Sequence, residues 1–415
     1  MKGSLLIVTH FYPPSEMVAA RRPAGLAKYL ERLGYRVTVL TSGAWGPPSA
    51  DVPGRPVWTG DLMQSRLNWR RANLRAWTQG AAEYEAGTSR LARVIVPDVA
   101  LATWLPYVLP RALRLAHSER FDCVITTSGP ESVHLVGMAL RRWGAAWVAD
   151  LRDGWGFETQ HLWPTGVQAR LDAALERAVT RRADAMTAVT EPIAADLRAR
   201  LGAEARTITN GFDPEDVPPR TGSSAHLTPG RLSIVHTGRM ASSQRSPRPV
   251  LDALRRLRSR SAEVAARLEL VFAGPLTLEE RQLLGAADLE GAVRHVGSLD
   301  RPGSLSLQRE ANALLLITSG ERRGEATGKL FEYLGAERPV LVLGEDSEAA
   351  RIVRDARAGL VAPAGDAEAI ASALERLVTG APGVPPAPAA YSYPAIAATF
   401  AEVIEQARRR RAASG

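Results

Sequence analysis

Twice along this chain, short apolar runs of strand length alternate with longer stretches in which leucines return every three or four residues. The first series opens the sequence. SLLIVT (residues 4–9) reads as a buried strand, RRPAGLAKYLERLG as a helix with the stripe Leu26, Leu30 and Leu33, and RVTVLT (36–41) as the next strand once Gly34 has ended the helix. Strand, crossover helix and strand make a β-α-β unit. The series continues through CVITT (123–127), AWVAD (146–150), AMTAV (185–189) and RTITN (206–210). A second series runs through LSIVHTG (232–238), the helix PVLDALRRLRSR, LELVFAG (268–274), RHVGS (294–298), ALLLIT (313–318), PVLVLG (339–344) and GLVAPAG (359–365). Each series predicts a doubly wound, mostly parallel α/β sheet.

A chain of 415 residues is long for one core, so two domains suit both the length and the interruption. Residues 214–231, PEDVPPRTGSSAHLTPGR, carry four prolines and no periodicity, and read as an interdomain linker. The expected organisation is a Rossmann-like domain over 1–218, a second over 231–390, and a segment 391–415 whose helix, PAIAATFAEVIEQARRR, packs back on the first domain. The second domain is expected to close with a helix, GDAEAIASALERLV, capped by Asp366. Two such sheets in tandem would face each other across a cleft, with ligands at the carboxyl ends of the strands.

Residues 43–100 show no strand pattern. Within them, DLMQSRLNWRRANLRAWTQG sets Met63, Leu67, Leu74 and Trp77 on one helical face with Arg66, Arg70, Arg71 and Arg75 around them. A basic amphipathic insertion of this kind, about residues 58–80, suits a membrane surface or an acceptor; it equally suits a helix packed on its own domain with a solvated arginine face. The formal charge of +8 is dispersed and accompanied by no nucleic-acid motif, so no nucleic-acid partner is expected. The single cysteine, Cys123, excludes an intrachain disulfide framework, and no apolar run reaches the length of a membrane span. A cytoplasmic protein is expected, with peripheral contact at the inner face of the membrane as a further expectation.

Lysine is scarce. Against 52 Lys plus Arg, the lysines are Lys2, Lys28 and Lys329. Lys329 stands in GEATGKLFEYL (324–334), after the strand ALLLIT and a loop rich in Gly and Arg. A helix beginning near Thr327, with Leu330, Tyr333 and Leu334 on its apolar side, directs unpaired N–H groups and the positive end of its dipole at that loop. Lys329 adds a full charge there, which suits a phosphate, while Glu332 one turn on suits a pair of vicinal hydroxyls. Phosphate plus diol is what a nucleoside diphosphate offers. An ordinary exposed Lys–Glu pair fits the same residues.

The stretch GKLFEYLGAERPVLVLGEDSEAARIVRDARAGLVAPAGDAEAIASAL resembles the donor-binding domain of the retaining glycosyltransferases of family 4, which have the GT-B fold. SLLIVTHFYPPSEMVAARRPAGLAKYLERLGYRVTVLTS, WVADLRDGW and ITNGFD resemble the same family, so the likeness covers nearly the whole chain. It implies an acceptor-side first domain and a second domain that holds a nucleotide-sugar donor. It also implies that Glu332 is the second of the family's paired glutamates, the one that binds the donor ribose. The first falls at position 324, which is Gly324 here, with Glu325 one place off. Arg239, after Gly238 in HTGRM, matches the arginine that holds the diphosphate, with Arg245 or Lys329 as its basic partner. Thr327, Gly328 and Leu330 complete the expected donor surface.

On the acceptor side, the family's small-residue loop after the first strand corresponds to FYPPSEMVAAR, which makes Ser15, Glu16 and the backbone near Ala19 candidates. Arg21 or Arg22 would meet an anionic acceptor. Many family members carry a histidine after the strand that ends here at Asp150; this chain reads ADLRDGW, which puts Asp150, Arg152 and Asp153 in its place. No pair of carboxylates is dedicated to a nucleophile. The mechanism commonly described for the family then applies: the donor's own phosphate guides the acceptor hydroxyl, and the protein positions and stabilises the departing diphosphate. Asp150, Asp153, Arg239 and Lys329 form the expected catalytic set. No metal or other cofactor is expected, since there is no D-x-D triplet and the seven histidines lack ligand spacing. His134 reads as a buried histidine. A pseudo-glycosyltransferase or phosphorylase-like enzyme on the same fold, and a non-catalytic nucleotide-binding module, are the other readings. The acceptor stays open between a lipid-linked glycan and a small-molecule aglycone.

Overall fold

The computed structural model describes residues 2–15, 17–45, 51–62, 94–159, 163–240, 245–318, 322–380 and 383–414. They fall into two compact units, one running to Asn210 and taking in Tyr393 onward, the other Gly211–Ser392.

The first unit is built on seven parallel strands: β1 (Gly3–Thr9), β2 (Tyr35–Ser42), β3 (Arg55–Thr59), β4 (Cys123–Thr127), β5 (Ala146–Leu151), β6 (Ala185–Ala188) and β7 (Ala205–Thr207). Their order is β3-β2-β1-β4-β5-β6-β7, and every ladder is parallel. Leu5, Leu6, Ile7 and Val8 are all fully buried, which is why β1 reads as a continuous apolar run rather than an alternation: helices cover both faces of the sheet. The helix Arg21–Arg32 lies on one face beside the C-terminal helix Tyr393–Ala413. Ile396, Phe400, Val403 and Ile404 of the latter join Leu26 and Leu30 of the former in one apolar cluster. Gly25 allows the approach, because a Cβ there would lie 2.6 Å from the base of the Tyr393 ring.

Strand β3 corrects the expectation that residues 43–100 hold no strand. RPVWT is an edge strand, half-exposed and proline-bearing, so it lacks the continuous apolar run that marks the others. The helical face expected from Met63 to Trp77 lies outside the described residues.

The second unit has six strands: β8 (Leu232–Thr237), β9 (Leu268–Ala273), β10 (Val293–His295), β11 (Ala313–Ile317), β12 (Val340–Leu343) and β13 (Gly359–Ala362). Their order is β10-β9-β8-β11-β12-β13, again parallel throughout. Asp366 caps the helix Ala367–Gly380 by accepting from the N–H groups of Glu368 and Ala369 at 3.0 and 2.9 Å. The proline-rich stretch 214–231 is no free linker. Gly222 N–H donates to Glu310 at 3.0 Å, and Thr228 N–H and hydroxyl donate to Glu269 at 2.8 and 2.6 Å, fastening the stretch to the second unit. The boundary accordingly lies at Asn210–Gly211. Composition hid this, because the acceptors are carboxylates far along the chain.

In each sheet the order reverses direction once, between β1 and β4 in the first and between β8 and β11 in the second. Beyond the carboxyl ends of such a pair, neighbouring loops part in opposite directions and leave a crevice. No helix among the described residues is long and apolar enough to cross a membrane.

Candidate functional site

At the crevice of the second sheet, β8 ends in Thr237, Gly238 and Arg239. Thr237 is held from two sides: its N–H donates to the Tyr333 hydroxyl at 3.0 Å, and its own hydroxyl accepts from Gln308 Nε2 at 2.9 Å. Gly238 turns the chain at φ +84°, and a side chain there would crowd Lys329 Nζ at 3.4 Å. Lys329 lies in the first turn of the helix Gly328–Gly335, with Thr327 as its N-cap. Its ammonium donates to His236 Nε2 at 3.1 Å and to the Arg239 carbonyl at 3.4 Å. His236 Nδ1 is 3.0 Å from the Leu315 carbonyl, which only accepts, so the ring proton sits on Nδ1 and Nε2 is the acceptor that Lys329 needs. Burial, and then the charge of Lys329, hold the imidazole well below its ordinary pKa, so it stays neutral beside the ammonium.

The structure thus brings Gly238, Arg239, Thr327, Gly328 and Lys329 together around one helix N-terminus. The Thr327 hydroxyl is buried there without a partner in the protein. Burial works against the charge of the Arg239 guanidinium, which lowers its pKa. Positive charge and outward N–H groups at a switch point form a place for an anion. Leu330 is corrected: its side chain is fully buried in the core and its N–H is spent on the Thr327 carbonyl. Arg245 is corrected as a ready partner of Arg239, because its largely buried guanidinium is ion-paired with Glu325 at 2.7 Å. Glu332 accepts from Arg301 at 2.9 Å, and Arg301 also donates to Asp216.

In the first unit the candidates separate by burial. Asp150 is fully buried and each of its oxygens is used twice, by Arg22 at 2.9 and 2.8 Å and by the hydroxyls of Thr127 and Thr187 at 2.7 Å each. Burial raises the cost of its charge, yet Arg22 and those hydroxyls hold the carboxyl below its ordinary range. Arg22, 2% exposed, also donates to the Thr209 carbonyl at 2.7 Å. Neither side chain has a face left for substrate, so the expectations of a catalytic Asp150 and an acceptor-facing Arg22 are corrected to a structural ion pair. Arg152 donates to the carbonyls of Ala19, Ser128 and Gly129, bracing the loop after β1 against the loop after β4. Ser15 and Arg21 are half-buried and Asp153 is exposed at the carboxyl end of the sheet. Glu16 lies outside the described residues.

The chain matches two family descriptions in succession, "Glycosyl transferase 4-like domain" over residues 19–211 and "Glycosyl transferases group 1" over 231–380. It belongs to the family-4-like glycosyltransferases of GT-B fold. Among solved structures, a sucrose-phosphate synthase from Thermosynechococcus elongatus is similar over 99% of this chain and 94% of its own, with TM-score 0.61 and 18% identity. WaaG, a glycosyltransferase involved in lipopolysaccharide biosynthesis, is similar over 97% and 98%, with TM-score 0.57 and 15% identity. A trehalose-6-phosphate protein from E. coli bound with UDP-2-fluoro glucose is similar over 99% and 97%, with TM-score 0.55 and 13% identity. No curated protein sequence matches the chain.

Three residues of this glycosyltransferase escape a reading of its sequence. His236, the seat of Lys329, is one histidine in an apolar strand, with no partner of fixed spacing to announce it. Arg301 is 31 positions from the Glu332 it holds. Glu131, one residue beyond the loop after β4, is pushed up to about 8 by burial and then by the charges of Asp98 and Asp153. Spacing along the chain carries no trace of such pairs, because each joins elements far apart in sequence.

Proposed function

We propose that this glycosyltransferase moves a sugar from a nucleoside-diphosphate donor, held on the second unit, to an acceptor hydroxyl with retention of configuration and without a metal. The Lys329 ammonium, seated on His236 beside Gly238, Arg239 and the N-terminus of Gly328–Gly335, is the observation that carries the reading. Two cations and a helix dipole offset the charge that builds on a departing diphosphate, the task otherwise given to a divalent ion. In this reaction the bond from the anomeric carbon to the phosphate oxygen breaks. The acceptor oxygen bonds on the same face, and its proton passes to the leaving phosphate. The E. coli neighbour carries a UDP sugar, which supports the donor class by likeness of fold. Cytoplasmic placement is part of the proposal and rests on the lone, buried Cys123; cell fractionation checks it.

The test is a thermal-shift series with UDP, GDP, dTDP and ADP in EDTA, on wild type and Lys329→Ala. A ligand at 100 times its Kd adds about 2.7 kcal/mol to native stability. One diphosphate should raise the wild-type melting temperature, and the rise should shrink in the variant. Stabilisation by none of them would remove the donor assignment.

A further inference from the structure

Glu332 does not stand alone at the donor site. Arg301 opens the helix Arg301–Glu310, and its guanidinium is shared between two carboxylates: Nη1 donates to Glu332 Oε1 at 2.9 Å and Nη2 donates to Asp216. Asp216 ends the short turn Pro214–Asp216 in the stretch after Asn210 that belongs to the second unit, so the fork and both carboxylates lie in one unit. A guanidinium is planar, and two of its nitrogens committed to two carboxylates restrict how that plane can turn. Glu332 is 13% exposed against 36% for Arg301, so the carboxylate is the more enclosed member of the pair.

We propose that Arg301 is a specificity-determining positioning residue: by fixing the Glu332 carboxylate against Asp216, it gives the donor site its preference for a ribose over a 2′-deoxyribose. This rests on the reading of Glu332 as the acceptor for a nucleotide's vicinal hydroxyls. A carboxylate takes both hydroxyls only when its plane is aligned with them, and a carboxylate free to rotate recovers most of its energy from one hydroxyl or from water. Arg301 itself touches no reacting atom.

The experiment measures Kd for UDP, GDP and ADP, and for their 2′-deoxy counterparts, by calorimetric titration on wild type, Arg301→Ala, Arg301→Lys and Asp216→Asn. Wild type should prefer the ribonucleotide by about tenfold or more, the scale of one hydrogen bond to a charged group. Arg301→Ala should bring that ratio close to one by weakening the ribonucleotide alone. Arg301→Lys and Asp216→Asn should fall between. Three results would overturn the proposal: an unchanged ratio in Arg301→Ala, even with a lower melting temperature; equal weakening of both nucleotides; or tighter ribonucleotide binding, which would make Arg301 a competitor for Glu332. Failure of every diphosphate to bind wild type is a different outcome and overturns the donor reading beneath it.

Discussion

A buried charge with a full set of partners and a charge waiting for a ligand look alike in sequence. Asp150 shows the first case. Removing its charge in Asp150→Asn leaves Arg22 buried and uncompensated, at a cost of about 3–5 kcal/mol, to be read as a fall in the urea midpoint. A variant that unfolds like wild type yet loses turnover would return Asp150 to the reacting centre. Glu131 makes a different prediction. Its ordinary value of 4.5 is raised to about 8, so between those values the folded chain keeps a proton that the unfolded chain has lost, and stability falls as pH rises through that window. Glu131→Gln cannot ionise. It should match wild type near pH 5 and gain on it by pH 8.5, by at most about 1.4 kcal/mol per pH unit; parallel urea midpoints across that range would show that the carboxyl is already ionised. That Arg239 and Lys329 come together was legible because their strand-end and helix-start contexts are local. Arg22 and Asp150, 128 residues apart, were misread for the opposite reason: nothing local says that two loop-flanking charges have each other.

At the scale of elements, legibility followed burial on two faces. Strands such as β1 and β11 are covered above and below and announce themselves as unbroken apolar runs, whereas β3 at the sheet edge, half-exposed, does not. The C-terminal helix was legible as a helix, and its seat depends on the absence of a side chain at Gly25. Gly25→Ala sets a methyl 2.6 Å from the ring of Tyr393, where the near atoms of the ring leave little freedom to yield. Overpacking of this kind costs about 1–3 kcal/mol, expected as a lower melting temperature. Tyr393→Ala in the same background should return part of that loss, and strict additivity of the two changes would show that they do not meet.

For the whole molecule, two units with separate cores predict two calorimetric transitions. A nucleoside diphosphate should raise the one belonging to Gly211–Ser392, and Gly25→Ala should lower the other; a single transition moved by both would show one cooperative body. The division has a further consequence for how the protein is made. The first unit needs the helix Tyr393–Ala413 to cover Leu26 and Leu30, yet the whole second unit is translated before that helix exists. At about 5–20 residues per second, the ribosome takes on the order of ten to forty seconds to pass from Asn210 to Tyr393. Over that interval the earlier half of the chain waits with an apolar face open while the later half completes itself, so the order of folding reverses the order of synthesis.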